Sequence, residues 1–380
     1  GKPKAITHST GGILIEQYKS HSLHQNISEG DRFFWNTTTG WMMWNYAIGS
    51  LLCGAKLCLY DGAANFPDIG VQWRFAKSVK INHFGNGSPL FIASMKQNIK
   101  DVNNEDLNCI KTIGATGSPL SVEAFEWIQK KLPNAQIISL SGGTDICSAF
   151  IGGCTKLPVY SGFLQCNMLG ASIEAWNENG ESVELITGEL VITEPLPSMP
   201  LFFWGDNDFK KYHDSYFNKN EGVWTHGDWI FIDKNKGILM QGRSDATLNR
   251  NGIRIGTSEI YSVLDKLKEV KDSLIIDLEI NNSSKLILFI QTTSNLNNEL
   301  KSKIHRLIKT KCSPRHTPNL IFSVSQIPYT ISGKKMEIPI KKILLGQKVT
   351  NVISKGAMKN PECIDEFIGI KNQYLKSLDQ

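Results

Sequence analysis

Apolar runs and amphipathic runs alternate from the start of the chain to Leu140. Within His8–Leu23, Ile13, Leu14, Tyr18 and Leu23 recur at helical spacing after the Gly11-Gly12 break, which predicts a helix packed on a sheet. Asp31–Trp35 reads as a short aromatic strand. Thr37–Ala47 carries Gly40-Trp41-Met42-Met43-Trp44, for which core packing is the default. Ile48–Tyr60 reads as a helix end, a glycine turn and a buried strand, Asp68–Val79 as an amphipathic helix, Ile81–Phe84 as a strand, and Pro89–Met95 as a helix start. Ile110–Ser121 is a strand ending in small residues. Val122–Leu132 is a helix with Phe125, Trp127 and Ile128 inward, and Ala135–Leu140 is a buried strand. Strands that alternate with helices predict a layered α/β fold.

The later pattern differs. Leu185–Thr193 is a strand, Pro195–Pro200 a proline-rich loop, and Trp229–Asp233 with Gly237–Gln241 a hairpin. Gly242–Glu259 is too polar for core and too rich in glycine for one helix. It predicts a turn at Gly242-Arg243-Ser244-Asp245, a short alternating run, and a helix capped by Thr257 or Ser258 with Glu259 in its first turn. Beyond it come a helix (Ile260–Leu267), two strands (Asp272–Leu278, Lys285–Thr292), a helix (Asn297–Lys309) and a strand near Ile321–Val324, which make a small α+β domain. The stretch past Leu345 is polar, with a final helix starting at Asn360-Pro361. The expected division is 1–242 as a large α/β domain, 243–248 as a hinge, 249–345 as a small mobile domain and 346–380 as a tail.

Composition narrows the class without naming it. The chain's 380 residues suit two domains or three, and 41% hydrophobic content supports a sizeable core. No apolar run approaches the roughly 18–20 residues of a membrane span. The net charge of +5 is scattered and leaves no nucleic-acid footprint. Eight cysteines at irregular spacing, without Cys-x-x-Cys, suit reduced thiols in the cytosol and no structural zinc. The opening Gly1-Lys2-Pro3-Lys4-Ala5 shows neither an initiator methionine nor a signal peptide, so a chain beginning inside a longer one is expected, with any targeting segment upstream.

Taken singly, the candidate motifs are bland. Gly-Arg-x-Asp is usually a β-turn, Ser-Gly-Lys an ordinary turn, and Gly-Gly-Thr-Asp a glycine turn with a surface acid. Their order and spacing say more. Gly242-Arg243-x-Asp245, Asn249, then Gly252-x-Arg254-Ile255-Gly256-x-x-Glu259 resembles the hinge signature of the adenylate-forming acyl-CoA synthetases. Ser141-Gly142-Gly143-Thr144-Asp145, Thr225-His226-Gly227-Asp228 and Pro328-Tyr329-Thr330-Ile331-Ser332-Gly333-Lys334 resemble three further signatures of that family.

The resemblance implies a large adenylation domain, part of it missing from the N-terminal side, and a small domain that swings. It implies ATP, Mg²⁺ and CoA, and a short acid such as acetoacetate, as the small-molecule partners. Lys4 ends the family's phosphate loop. Gly117-Ser118-Pro119 meets the adenine. Thr144 bonds the α-phosphate, and Asp145, one methylene shorter than the usual glutamate, holds the metal. Asp228 and Arg243 hold the ribose, Arg254 reaches a phosphate, and Asp245 is the pivot. Gly252 faces the pantetheine channel. Lys309, with Lys311 and Arg315, is either a spot for CoA phosphates or a solvated helix end. Trp41 and Met43 line the acyl pocket, where Gly142 replaces a bulky tryptophan of acetate-activating relatives or serves only its backbone. His226 has no assigned role and is expected to pack or cap. Lys334 is the catalytic lysine, offsetting repulsion between carboxylate and phosphate. The alternatives are an acetyl- or propionyl-CoA ligase, or a non-catalytic nucleotide-binding remnant.

Overall fold

The computed structural model describes residues 5–244, 248–250, 253–280, 283–293, 295–331 and 333–376. They fall into two compact units, one reaching to His226 with Ile230–Met240, the other made of Gly227–Trp229 and the residues from Gln241 onward.

The larger unit is built on a five-stranded sheet in which every neighbouring pair is parallel. Across the sheet run Lys56–Leu57, Arg32–Trp35, His83–Gly87, Thr112–Thr116 and Gln136–Ser139. Val71–Val79, Ser88–Lys96 and Val122–Lys131 are helices between or after these strands, as parallel pairing requires. Trp73, Phe84, Phe91, Ile113 and Ile128 fill one layer of core. The α/β reading therefore holds, with boundaries shifted by a few residues. Smaller sheets follow. Ile173–Trp176, Thr187–Ile192, Trp224–Ile232 and Ile238–Arg243 form one of four strands, and Ser141–Gly143 begins one of three.

The first helix departs from its pattern. Thr10–Tyr18 is α-helical and Lys19–His24 continues as π-helix. Its apolar positions Leu14, Ile15, Tyr18 and Leu23 face outward, while Glu16, Gln17, Ser20, His21 and His24 are buried. Gly11-Gly12 is not a break but lies inside the helix; a Cβ at Gly12 would meet the Pro197 carbonyl oxygen at 1.9 Å.

The smaller unit is a three-layer sandwich. Val270–Ile280 pairs antiparallel with Ser283–Thr292, which pairs parallel with Leu320–Ser323. Strand alternation feeds two cores. Ile275, Leu286, Leu288 and Ile290 pack with helices Thr257–Leu264 and Asn298–Lys311. Leu274, Ile276, Ile287 and Phe289 pack with Glu337–Leu344 and Ile364–Lys376. Val352, Ile353, Met358, Cys363 and Phe367 belong to that second core, so the stretch past Leu345 is a structural layer and not a polar tail. The helix at Thr257 is capped by Gly256, without a side-chain bond. Ser258 is unavailable as a cap because its hydroxyl donates to the Gln241 carbonyl at 2.7 Å.

Candidate active site

Ser141–Gly143 and Ser148–Gly152 pair antiparallel, and Thr144-Asp145-Ile146-Cys147 is the turn between them. Ile146 anchors the turn by full burial and Cys147 closes it with a left-handed φ of 50°. Thr144 is left exposed at the tip and Asp145 half-buried. The polar face of the first helix ties this turn down from behind. His8 Nε2 donates to the Asp145 carbonyl at 2.7 Å, and Gln17 Nε2 to the Cys147 carbonyl at 2.6 Å. Ser148 Oγ donates to Glu16 Oε1 at 3.2 Å, and Glu16 is itself paired with Lys19. His24 Nδ1 donates to the Gly153 carbonyl at 2.9 Å. Buried donors need acceptors, and here backbone carbonyls supply them for the Gln17 amide and the His24 ring N–H.

The Asp145 carboxylate accepts a hydrogen bond from the Tyr216 hydroxyl. The Tyr216 ring lies flat on Trp224, centroids 3.5 Å apart. Burial, then the Asp145 charge, pushes the phenol well above its ordinary range, so it stays a donor. Trp224 Nε1 donates to His226 Nδ1 at 3.3 Å, and His226 meets Phe150 edge-on at 4.6 Å. His226 is thus a packed histidine. Nothing in the sequence marks Tyr216, His8 or Gln17. Tyr216 lies 71 positions from Asp145 and belongs to no motif. As a hard oxygen donor at an open tip, Asp145 suits Mg²⁺, which takes one or two carboxylates and completes its shell with substrate phosphates and water.

The predicted adenine turn sits at the carboxyl end of the central strands, where open α/β sheets bind ligands. Gly117 has a φ of 88°, and Ser118 and Pro119 are exposed. Ser88 Oγ donates to the Ser118 carbonyl at 2.6 Å, and Thr116 Oγ1 to the Leu140 carbonyl at 2.8 Å, which links this turn to the strand leading into the hairpin. Met43 is buried with Leu140 and Ala149, and Trp41 packs half-buried against the same cluster. Gly142 gives a different answer from the expected spare volume. A Cβ there would stand 2.1 Å from the Ser148 carbonyl oxygen and 2.5 Å from Ala149 Cα, at a register shift between the two strands. The space beside Gly142 is filled by the neighbouring backbone, and a tryptophan at this position would part the hairpin.

In the smaller unit, Arg243 Nη1 donates to Asp228 Oδ2 at 3.3 Å. Lys334 sits on a tight loop closed by backbone bonds: Thr330 N–H donates to the Lys334 carbonyl at 2.9 Å, and Lys334 N–H to Thr330 Oγ1 at 3.0 Å. Its side chain is exposed, and its ammonium has no partner among the described residues. Lys335 contrasts with it. Its ammonium lies 2.9 Å from Asp272 Oδ1 and 3.9 Å from the centre of the Tyr261 ring. Lys309 is exposed on the last turn of Asn298–Lys311. Lys4, Asp245, Gly252 and the side chain of Arg254 lie outside the described residues.

All eight cysteines are free thiols, and burial pushes the Cys147 thiol, next to the tip, up to about 11, which makes it inert packing. Among the described residues no helix is long and apolar enough to cross a membrane.

Residues 1–199 match the family described as AMP-binding enzyme, and the chain belongs to that family. Acetoacetyl-CoA synthetase of Gallus gallus is 41% identical over 375 residues, 97% of this chain and 56% of that protein. Acetoacetyl-coenzyme A synthetase of Rhizobium meliloti (strain 1021) is 39% identical, over 98% of this chain and 57% of its own length. The solved acetoacetyl-CoA synthetase from Streptomyces lividans superposes with a TM-score of 0.92 at 38% identity, covering 98% of this chain and 58% of that one. The chain spans about half the length of the curated relatives it matches.

Proposed function

We propose that this chain carries most of the working site of an AMP-forming acid–CoA ligase whose acid is acetoacetate. The observation that supports it best is identity of about 40% to acetoacetyl-CoA synthetases spread over 97% of the chain. The reaction has two halves. The carboxylate attacks the α-phosphorus of ATP, pyrophosphate leaves, and an acyl-adenylate remains. The CoA thiol then attacks the acyl carbonyl and AMP leaves.

The roles follow from the groups available. Gly117-Ser118-Pro119 offers backbone to the flat adenine. Asp228 accepts from the ribose hydroxyls, with Arg243 beside it. Thr144, exposed at its tip, donates to the α-phosphate. Asp145 would hold Mg²⁺ through a carboxylate oxygen, and the bound ion would offset phosphate charge. Lys334 brings a solvated ammonium to carboxylate and phosphate as they meet, then withdraws for the thiol step, the smaller domain turning at Asp245. Lys4 and Arg254 add phosphate contacts. Gly252 and Lys309 serve the CoA arm and its phosphates. In this reading 1–242 is the nucleotide and acyl domain, and 249–345 carries the lysine, with the later helices part of its core.

The test is exchange of labelled pyrophosphate into ATP. It should require acetoacetate, and Lys334→Ala should remove it without changing the melting temperature. Exchange that survives Lys334→Ala would overturn the lysine's role.

A further inference from the structure

A 3-oxo acid poses a problem that an unsubstituted acid does not. Its keto oxygen only accepts, and burying it without a donor costs about 1–3 kcal/mol. The acyl cluster around Met43 is almost wholly apolar: Phe33, Leu140, Ala149 and Met168 surround it. It contains one group placed for the task. Trp35 ends its strand at the carboxyl edge of the sheet and pairs in register with Gly85, which pairs with Gly114. A Cβ at Gly85 would lie 2.1 Å from Trp35 Cε3, and one at Gly114 would lie 2.5 Å from Trp35 Cζ3. The two glycines therefore give the benzo ring a flat bed across neighbouring strands, where any side chain would lift it off. The pyrrole edge is the opposite edge of the indole. Its Nε1–H is buried with no acceptor among the described residues, in a side chain only 4% exposed.

We propose that the Trp35 indole N–H is the donor that recognises the 3-oxo oxygen of the acyl group, so that this pocket selects 3-oxo acids over unsubstituted acids of the same length. The inference rests on the ligase reading above and names what selects its acid. Thr116, next to the adenine turn, projects from the same sheet face as Gly114 one pleat nearer the carboxyl edge, so the indole over Gly114 lies below the level where nucleotide and carboxylate would meet. An N–H is a donor only, and the keto oxygen is an acceptor only, so the two are complementary once the carboxylate is engaged at the nucleotide. The second donor of the cluster without a partner among the described residues, the Tyr46 hydroxyl, is the competing one. Its ring lies tilted against His21, centroids 4.2 Å apart, in the layer between sheet and first helix, and meets the Trp35 ring edge-on at 5.4 Å. The Trp35 edge is therefore the better placed of the two.

The experiment compares two stable stand-ins for the acyl-adenylate, 3-oxobutanoyl and butanoyl sulfamoyl-adenosine, by calorimetry on the full chain. The 3-oxo probe should bind at least tenfold more tightly. Trp35→Phe should weaken it roughly ten- to a hundredfold while moving the butanoyl probe far less, and Tyr46→Phe should leave the ratio unchanged. In ¹⁵N-tryptophan spectra one indole N–H slow to exchange with water should shift with the 3-oxo probe alone. That spectrum decides the matter even if Trp35→Phe does not fold. A ratio that persists in Trp35→Phe, a ratio lost in Tyr46→Phe instead, or no indole that responds to the keto group would overturn the inference. Equal binding of both probes to the unaltered protein would overturn it while leaving the ligase reading intact. Binding of neither probe would remove the ligase reading and this inference with it.

Discussion

The turn Thr144–Cys147 presents the candidate groups Thr144 and Asp145, the loop Tyr329–Lys335 presents Lys334, and the two are built on opposite plans. The turn is held at nearly every residue. His8 and Gln17 take two of its carbonyls, Ile146 is sunk in core, and Tyr216 holds the Asp145 carboxylate. In the loop, Tyr329 and Lys335 are tied to Asp272, but Lys334 between them is held through its backbone alone among the described residues, and its ammonium is exposed. Groups that must meet charge at a fixed point gain from preorganisation, because no reorganisation is needed as the reaction proceeds. A cation needed in one half-reaction and unwanted in the other gains from having nothing to break when it leaves. The neighbouring Lys335, clamped by Asp272 and Tyr261, shows what a lysine with a structural duty looks like in the same loop.

Four changes would break or sharpen that contrast. The largest effect should come from Glu16→Ala. Glu16 is fully buried and paired with Lys19, so its loss strands a cation behind the turn and should cost about 3–5 kcal/mol in urea unfolding. Lys334→Ala should do the reverse: a fall of about 10²–10³ in adenylation with the unfolding midpoint unmoved. Acid should weaken the held side alone. Burial lowers His21 from 6.5 to about 4, so between those values the unfolded chain takes up a proton that the folded chain refuses. Stability is full above pH 6.5 and should drop by about 3 kcal/mol as pH falls to 4, a slope that His21→Gln should flatten in pH-dependent unfolding. The smallest effect should be Lys335→Ala, within about 1 kcal/mol of stability and with adenylation largely retained. If Lys335→Ala abolished adenylation as Lys334→Ala does, the contrast between the two lysines would be void.

What the sequence showed follows the same division. The parallel sheet was legible because each of its strands is a short apolar run set off by amphipathic helices. The Lys334 loop was legible because a turn needs particular residues at fixed offsets. The first helix was not legible. Periodicity finds an apolar stripe and assigns it to the core, but Glu16, Gln17 and Ser20 are buried to serve a turn more than a hundred positions away. Gly142 left two readings open, spare volume or a backbone need, and the packing around it favours the second. A missing side chain looks like room until the partner strand is in place, and here that strand's Ser148 carbonyl fills it. The final helix was legible from Asn360-Pro361, but the packing role of the stretch past Leu345 was not, because Val352, Met358 and Phe367 reach their core from separate short elements, with no common period.

The face-to-face contact of Tyr216 with Trp224 has a practical corollary. An indole that touches a phenol bonded to the Asp145 carboxylate is a built-in optical gauge of that carboxylate. Whatever draws Asp145 toward a cation or a phosphate must disturb the phenol, and with it the colour and yield of Trp224 emission. Occupancy of the hairpin tip could then be followed by light alone, before any bond is made or broken.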